Sequence, residues 1–385
     1  MIAPAQNLVI VGSGLAAWTV VRELRKLDAH TPITLVTRDN GDFYSKPMLS
    51  NALSSGKTAA QLVSTTSAAM AEQHGVKLMA HTEVTAIDPV ACTISTSQGT
   101  VAYSRLVLAL GADAVRLPLQ GDAADRVLSV NDLQDYAAFR ERLQGARRVT
   151  VIGAGLIGCE FANDLVAAGY EVDVVDPGTQ PLGRLLPPEA GDLLQRALSD
   201  AGVRFHWGTS VQAVHAQPGD LQLELANGQR LGTDVVLSAV GLRPRTALAQ
   251  AAGLQTAQGI VVNRQLQTSQ PDIYALGDVA EVEGRSLPYV MPLMQAARTL
   301  AAHLAGQAAS LRYPAMPVVV KTPALPVVVS PPASGVAGQW QIETSTDGVD
   351  ARFVGHDGTL LGFALAGQAT TNKTALQKSL PALLA

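Results

Sequence analysis

Arg148–Gly158 reads RVTVIGAGLIG, and near the start of the chain Asn7–Ala17 reads NLVIVGSGLAA. In each stretch a short, mostly apolar run, Val149–Ile152 or Leu8–Val11, ends at a glycine-rich turn. Such a run suits a strand buried on both faces of a parallel sheet. Apolar residues at helical steps follow: Leu15, Trp18, Val21, Leu24 and Leu27 in the first copy, and Ile157, Phe161, Leu165 and Val166 in the second. Pro32 and Gly169 stop these helices, and Ile33–Val36 and Val172–Val175 read as the next strands. Strand, glycine turn, helix and strand make a βαβ unit, whose right-handed crossover sets the two strands parallel.

The likeness extends outward from the two turns. VKLMAHTEVTAID (Val76–Asp88) resembles VRFHWGTSVQAVH (Val203–His215), and RLVLALGA (Arg105–Ala112) resembles VVLSAVGL (Val235–Leu242), in the same order. The chain therefore carries two copies of one α/β nucleotide-binding unit. It then returns to the first unit, because Asp272–Asp278 reads as a buried strand ending in Gly-Asp. A long helix is expected from Leu293 to Ala305, with Pro292 in its first turn and Gly306 at its stop. From Tyr313 onward prolines become frequent, and short strand-like runs around Trp340, Phe353 and Phe363 indicate a small α+β domain. The expected fold is α/β: two Rossmann-like dinucleotide-binding domains, the second inserted in the first, plus a small C-terminal α+β domain. The expected limits are residues 1–118 and 245–313 for the first domain, 119–244 for the second and 314–385 for the third.

Composition narrows the function classes. A chain of 385 residues, 47% hydrophobic and 16% charged, can bury at least two substantial cores. Twenty-eight basic against 32 acidic side chains leave a charge of -4, and aromatics are only 4%, which argues against a nucleic-acid reader. Two cysteines, Cys92 and Cys159, make neither a disulfide framework nor a paired-cysteine zinc site, which fits a reducing compartment. No histidine pair flanks a glutamate at helical spacing, so no metal is expected. The apolar opening Leu8–Val21 lacks a basic leader, its first positive side chain being Arg22, and no stretch of 18 apolar residues occurs elsewhere. The expectation is a cytoplasmic protein without a membrane span.

Gly12-Ser13-Gly14 with Ala17 sits directly after a strand and opens a helix. The first glycine permits the tight turn, the second lets a pyrophosphate approach the backbone, and a small residue at the last position lets helix and strand pack closely. Gly153, Gly155 and Gly158 repeat the pattern with three glycines, and Asp176 ends the next strand, where a carboxylate can hydrogen-bond the ribose hydroxyls of NAD. Pro177 and Gly178 follow rather than arginines, which favours NADH over NADPH, with Arg184 nearby as a complication. The first copy has no acidic strand end: Ile33–Val36 runs into Thr37, Arg38 and Asp39, and Asp39 is only a candidate ribose ligand. In TSQPDIYALGD (Thr268–Asp278) an aspartate after a buried strand on the same sheet can hold the ribityl chain of a flavin, which assigns the first site to FAD. Lys321 stands inside an apolar run in a chain with few lysines, and reads either as a cation held near an electron-rich flavin or as an edge lysine snorkelling to water. Lys46, in a turn, has the same two readings. Cys159 reads as a small packing residue.

FYSKPMLS (Phe43–Ser50), GAGLIGCEFANDL (Gly153–Leu165), SAVGLRPRT (Ser238–Thr246), YALGD (Tyr274–Asp278), YVMPLM (Tyr289–Met294) and VKTPALPVVVSPP (Val320–Pro332) together resemble the two-dinucleotide-binding-domain flavoprotein oxidoreductases, most closely the rubredoxin reductases. The likeness covers essentially the whole chain, and the Ser-Lys-Pro-Met and Val-Lys-Thr-Pro stretches are its narrowest signals. It implies FAD held by Gly12, Ser13, Gly14, Val84, Gly277, Asp278 and Val290, and Lys46, Glu160 and Lys321 placed at the flavin as catalytic residues. It also implies a helix N-terminus after Pro292 that stabilises reduced flavin. The implied reaction takes hydride from NADH to FAD and passes single electrons to rubredoxin, a small acidic iron protein. A cationic rim of Lys46, Lys321, Arg298 and Lys373 would steer it.

Thiol-dependent relatives place a redox cysteine after the second strand, and Asp39–Lys57 contains none. Their dimerisation domains are also longer than the C-terminal segment here, which favours a monomer. Rival readings are a reductase of another carrier, such as a flavorubredoxin or an oxygenase ferredoxin, a slow flavin-binding sensor, and a peroxide or disulfide reductase that would need a reactive Cys159.

Overall fold

The computed structural model describes residues 7–385. The repeat seen in the sequence is repeated in space. One parallel sheet runs Val76–Met79, Ile33–Val36, Leu8–Val11, Arg105–Leu108, Ile273–Ala275 from edge to edge. The other runs Val203–Trp207, Glu171–Asp176, Arg148–Ile152, Val235–Ser238, the same order without the last strand. That last strand, Ile273–Ala275, is the one the chain supplies when it returns to the first unit. Each sheet carries a three-stranded antiparallel ribbon, Val84–Ala102 in the first and Val211–Thr233 in the second. The two crossings between units lie side by side as antiparallel strands, Ala112–Ala114 against Leu242–Pro244.

Helices open directly at the glycine turns. Leu15–Arg25 buries Trp18, Val21 and Leu24, but ends before Leu27, which is left exposed. Leu156–Ala167 buries Phe161 and Leu165. Ile157 does not join that face: it lies in the first turn beside Gly155, where nothing stands within 4 Å of an added Cβ. The long helix is Val290–Leu304 and starts three residues before the expected Leu293. Pro292 still falls in its first turn, where backbone N–H groups have no intrahelical acceptor and a missing one costs nothing. Gly306 follows with φ +81° and donates its N–H to the His303 carbonyl.

The C-terminal module is a five-stranded antiparallel sheet ordered Val318–Val320, Val327–Ser330, Leu360–Gly367, Gly348–Val354, Gln339–Thr344. Alternation of side chains gives it two different faces. Val327, Val329, Ala364 and Ala366 pack into one core with Phe161 and Leu165 of the second unit. Val328, Phe363 and Leu365 face outward and are covered by Leu376 of helix Lys373–Ser379.

The glycines divide into two kinds. Gly12 and Gly153 have φ of +108° and +103°, and a Cβ on Gly12 would lie 2.3 Å from the Ala109 carbonyl oxygen. On Gly158 a Cβ would lie 1.9 Å from the Gly153 oxygen. Gly14 and Gly155 are different: nothing lies within 4 Å, so the space beside them is open. Gly158→Ala is therefore expected to destabilise the chain by about 2 kcal/mol or more, read as a lowered Tm. Gly155→Ala should leave the apoprotein Tm unchanged and weaken dinucleotide binding.

Candidate active site

Helices Leu15–Arg25 and Leu156–Ala167 begin with Gly14 and Gly155 as caps that offer no side chain, and neither has an acidic residue in its first turn. Their free N–H groups and dipoles thus face the open space beside the two glycines, an arrangement that fits a pyrophosphate. Beyond the turns the two copies diverge. The Gly12 N–H donates to the Val36 carbonyl at 2.8 Å and the Gly153 N–H to the Val175 carbonyl at 2.9 Å, so Thr37 and Asp176 occupy equivalent positions. Asp176 reaches back with Oδ2 to the Ala154 N–H at 2.7 Å and with Oδ1 to the Gly178 N–H at 2.6 Å. In the first copy the hydroxyl of Thr37 stands there instead, and the acid comes two residues later. Asp39 Oδ1 accepts from Ser13 Oγ at 2.8 Å, Thr37 Oγ1 at 2.7 Å and the Gly41 N–H at 2.9 Å. The shift explains why the first copy lacks an acidic strand end. Val84 begins the ribbon strand just after His81 and Thr82, whose N–H groups donate to the Asp39 and Thr37 carbonyls.

Gly277 comes up against the helix of the first turn, where a Cβ would lie 3.1 Å from Ala16 Cβ. Asp278 follows it and stands 3.9 Å from Lys46 Nζ. Burial pushes the Lys46 ammonium below the ordinary lysine value, and the Asp278 carboxylate offsets part of that. Val290 is the first residue of its helix and partly exposed.

Glu160 is fully buried on helix Leu156–Ala167. Its Oε2 accepts from Lys321 Nζ at 2.5 Å and Ser50 Oγ at 2.5 Å, and its Oε1 from the Lys321 backbone N–H at 3.0 Å. Lys321 Nζ also donates to the Pro47 carbonyl at 2.6 Å and to Ser50 Oγ at 3.0 Å. One turn along, Asp164 accepts the N–H groups of Leu53 and Ser54 and the Ser54 hydroxyl. Asn163 Oδ1 accepts the Ala324 N–H at 3.0 Å. Glu160, Asn163 and Asp164 thus stitch the second unit to segment 46–54 of the first unit and to 321–324 of the C-terminal module. Sequence reasoning named Glu160 and Lys321 but not Ser50, Asn163 or Asp164. The available signal was three polar residues at helical spacing inside an otherwise apolar helix, which need partners once buried.

Lys46, Glu160 and Lys321 are therefore gathered through segment 46–50. Lys373 is not: its helix lies on the face of the C-terminal sheet opposite the one packed on the second unit. Arg298 is exposed two turns into helix Val290–Leu304. Cys159 is buried, with Sγ 3.3 Å from the Ala154 carbonyl, and burial pushes its thiol up to about 12.

Two outcomes follow from this geometry. Lys321→Met leaves a buried carboxylate without its cation and is expected to cost about 3 kcal/mol in denaturant unfolding, most of which Glu160→Gln in the same chain restores. At pH 8 iodoacetamide should modify Cys92, which is exposed, and spare Cys159 until the chain is unfolded.

The chain matches known proteins along its length. Residues 6–301 match the family described as pyridine nucleotide-disulphide oxidoreductase, and residues 310–380 match the rubredoxin binding C-terminal domain. It is 50% identical to the rubredoxin-NAD(+) reductase of Alcanivorax borkumensis, over 98% of this chain and 99% of that one. With the nitric oxide reductase FlRd-NAD(+) reductase of Aeromonas salmonicida it shares 41% identity over 98% of this chain and 97% of the other. Among solved structures, the covalent putidaredoxin reductase–putidaredoxin complex superposes with a TM-score of 0.88 at 28% identity, covering 98% of this chain and 94% of that one. With its doubled glycine turns, inserted second unit and small C-terminal module, the chain belongs to the pyridine nucleotide-disulphide oxidoreductase family.

Proposed function

We propose that this chain is an FAD-dependent NADH:rubredoxin oxidoreductase of the cytoplasm. The observation that carries the reading is the C-terminal module: residues 310–380 match a rubredoxin-binding domain, and that same module supplies Lys321 to the buried Glu160. The names borne by relatives of near-full-length similarity support it. Among the described residues no helix is long and apolar enough to cross a membrane. The domain limits of the proposal are residues 1–118 with 245–313 for FAD, 119–244 for NADH and 314–385 for the carrier protein.

Bound FAD supplies the redox chemistry, accepting hydride from NADH and releasing electrons singly. In the first unit Gly12, Ser13 and Gly14 hold the pyrophosphate against the helix N-terminus, Ala17 lets that helix pack close, and Asp39 reaches the ribose from its place beside Ser13. Val84 borders the adenine. Gly277 would leave room for the ribityl chain, and Asp278, with Lys46 balancing its charge, would hydrogen-bond it. Val290 brings the positive end of its helix, free of acidic residues in the first turn, to the ring. In the second unit Gly153, Gly155 and Gly158 hold the NADH pyrophosphate and Asp176 takes its ribose hydroxyls, repelling a 2′-phosphate. Glu160 and Lys321, held to each other by their ion pair, would form part of the floor beneath the flavin ring. No thiol relay serves this site, because Cys159 is buried and protonated.

The FlRd reductase likeness supports a second reading, in which the carrier is a flavorubredoxin. Anaerobic stopped-flow mixing separates the readings. The FAD-loaded protein should bleach much faster with NADH than with NADPH, and should then reduce rubredoxin rapidly, the more slowly as ionic strength rises. Fast bleaching with rubredoxin left oxidised would favour another carrier, and slow bleaching would leave a flavin-binding sensor.

A further inference from the structure

The second unit has a cleft that its dinucleotide turn does not explain. The cleft holds about 680 Å³ and lies where strands Arg148–Ile152, Glu171–Asp176 and Val235–Ser238 begin, beside the segment that follows helix Leu133–Arg142. The glycine turn at Gly153 lies at the other ends of these strands, the length of one strand or about 16 Å away. The two openings are therefore on opposite edges of one sheet.

Four arginines line the cleft, Arg126, Arg142, Arg147 and Arg148, against two carboxylates, Glu171 and Asp234, in a chain whose net charge is -4. Both carboxylates are already engaged. Asp234 accepts the backbone N–H groups of Arg147 and Arg148 at 2.7 and 2.8 Å and the Arg148 guanidinium at 2.8 Å, and Asp220 holds that same guanidinium at 2.9 Å. Glu171 accepts from Arg147 at 3.1 Å, but both side chains are exposed, and such a pair contributes little and yields readily to another anion. Arg126 and Arg142 are exposed and form no ion pair among the described residues. Gly145 stands between Arg142 and Arg147 with nothing within 4 Å of an added Cβ, so no side chain fills the cleft there. A concave site with an excess of one charge focuses its field on a ligand of the opposite sign. Guanidinium groups match the oxygens of a phosphate two at a time, and several of them on different segments suit linked phosphates better than a single one.

We propose that this cleft is an anion site separate from both dinucleotide turns, which takes a small molecule with two or more linked phosphates on Arg126, Arg142 and Arg147. The test is calorimetric titration of sodium tripolyphosphate into the FAD-loaded protein, saturated with NAD+ and held at constant ionic strength with KCl. Tripolyphosphate should bind saturably at one site. Replacing Arg126→Ser and Arg142→Ser together should weaken it about tenfold or more, the worth of one charge-assisted hydrogen bond. Each single substitution should give part of that loss. Because both side chains are exposed and unpaired, the Tm without tripolyphosphate and the rate of flavin bleaching by NADH should stay as they were. Arg312→Ser, at an exposed arginine outside the cleft, should leave binding unchanged. Absence of saturable binding, undiminished binding by the double variant, or an equal loss with Arg312→Ser would each overturn the proposal. Sulfate bound as tightly as tripolyphosphate would overturn the linked-phosphate class.

Discussion

Everything near the proposed reaction centre depends on one buried carboxylate. Glu160 has no access to water, and an isolated carboxylate cannot persist there. It is held by an ammonium and a backbone N–H from Lys321 and by the hydroxyl of Ser50. Such a pair adds little net stability, because taking two charges out of water costs about as much as their attraction returns. Its effect is on geometry. All three parts of the chain contribute groups to it, Glu160 from the second unit, Ser50 from the first and Lys321 from the C-terminal module, and their hydrogen bonds fix the placement of the parts.

The two nucleotide units show how far a repeated backbone can be adapted. Strand order, glycine turn and ribbon are the same in both, since they answer the same requirement for a helix N-terminus facing an open cleft. The residue that ends the second strand is not the same. An aspartate in one copy is a threonine in the other, with the acid displaced two residues and tied back through Ser13 and Thr37. The same cleft therefore presents a directly anchored carboxylate on one side of the molecule and a hydroxyl–carboxylate network on the other.

What was legible in the sequence is what local chemistry dictates. Apolar runs, glycine turns and the internal repeat specify the strands, the helices that follow and the inserted order of the units. Lys321 stood out because a charged side chain in an apolar run demands a partner, and Glu160 through the family resemblance alone. Which partner was not legible: Ser50 lies 110 positions from Glu160 and Asp164 a similar distance from Leu53, and only the folded chain brings them together. Thr37 escaped notice because a hydroxyl at a strand end carries no sign of the acid it holds. The place of Lys373 was not legible either, because alternation along a strand does not say which face of the C-terminal sheet meets the second unit and which its helix covers. Ile157 fitted the helical period, yet the period cannot tell that the first turn stands clear of the layer below.

If the Glu160 junction acts as one unit, loosening it at one point should loosen all of it. Native-state hydrogen exchange on the FAD-loaded protein, compared with Glu160→Gln, measures this directly at the amides of Lys321, Leu53, Ser54 and Ala324. Protection should fall together at all four, although only Lys321 is bonded to Glu160 itself. A loss confined to Lys321, with the Asp164 and Asn163 contacts exchanging as before, would contradict the account.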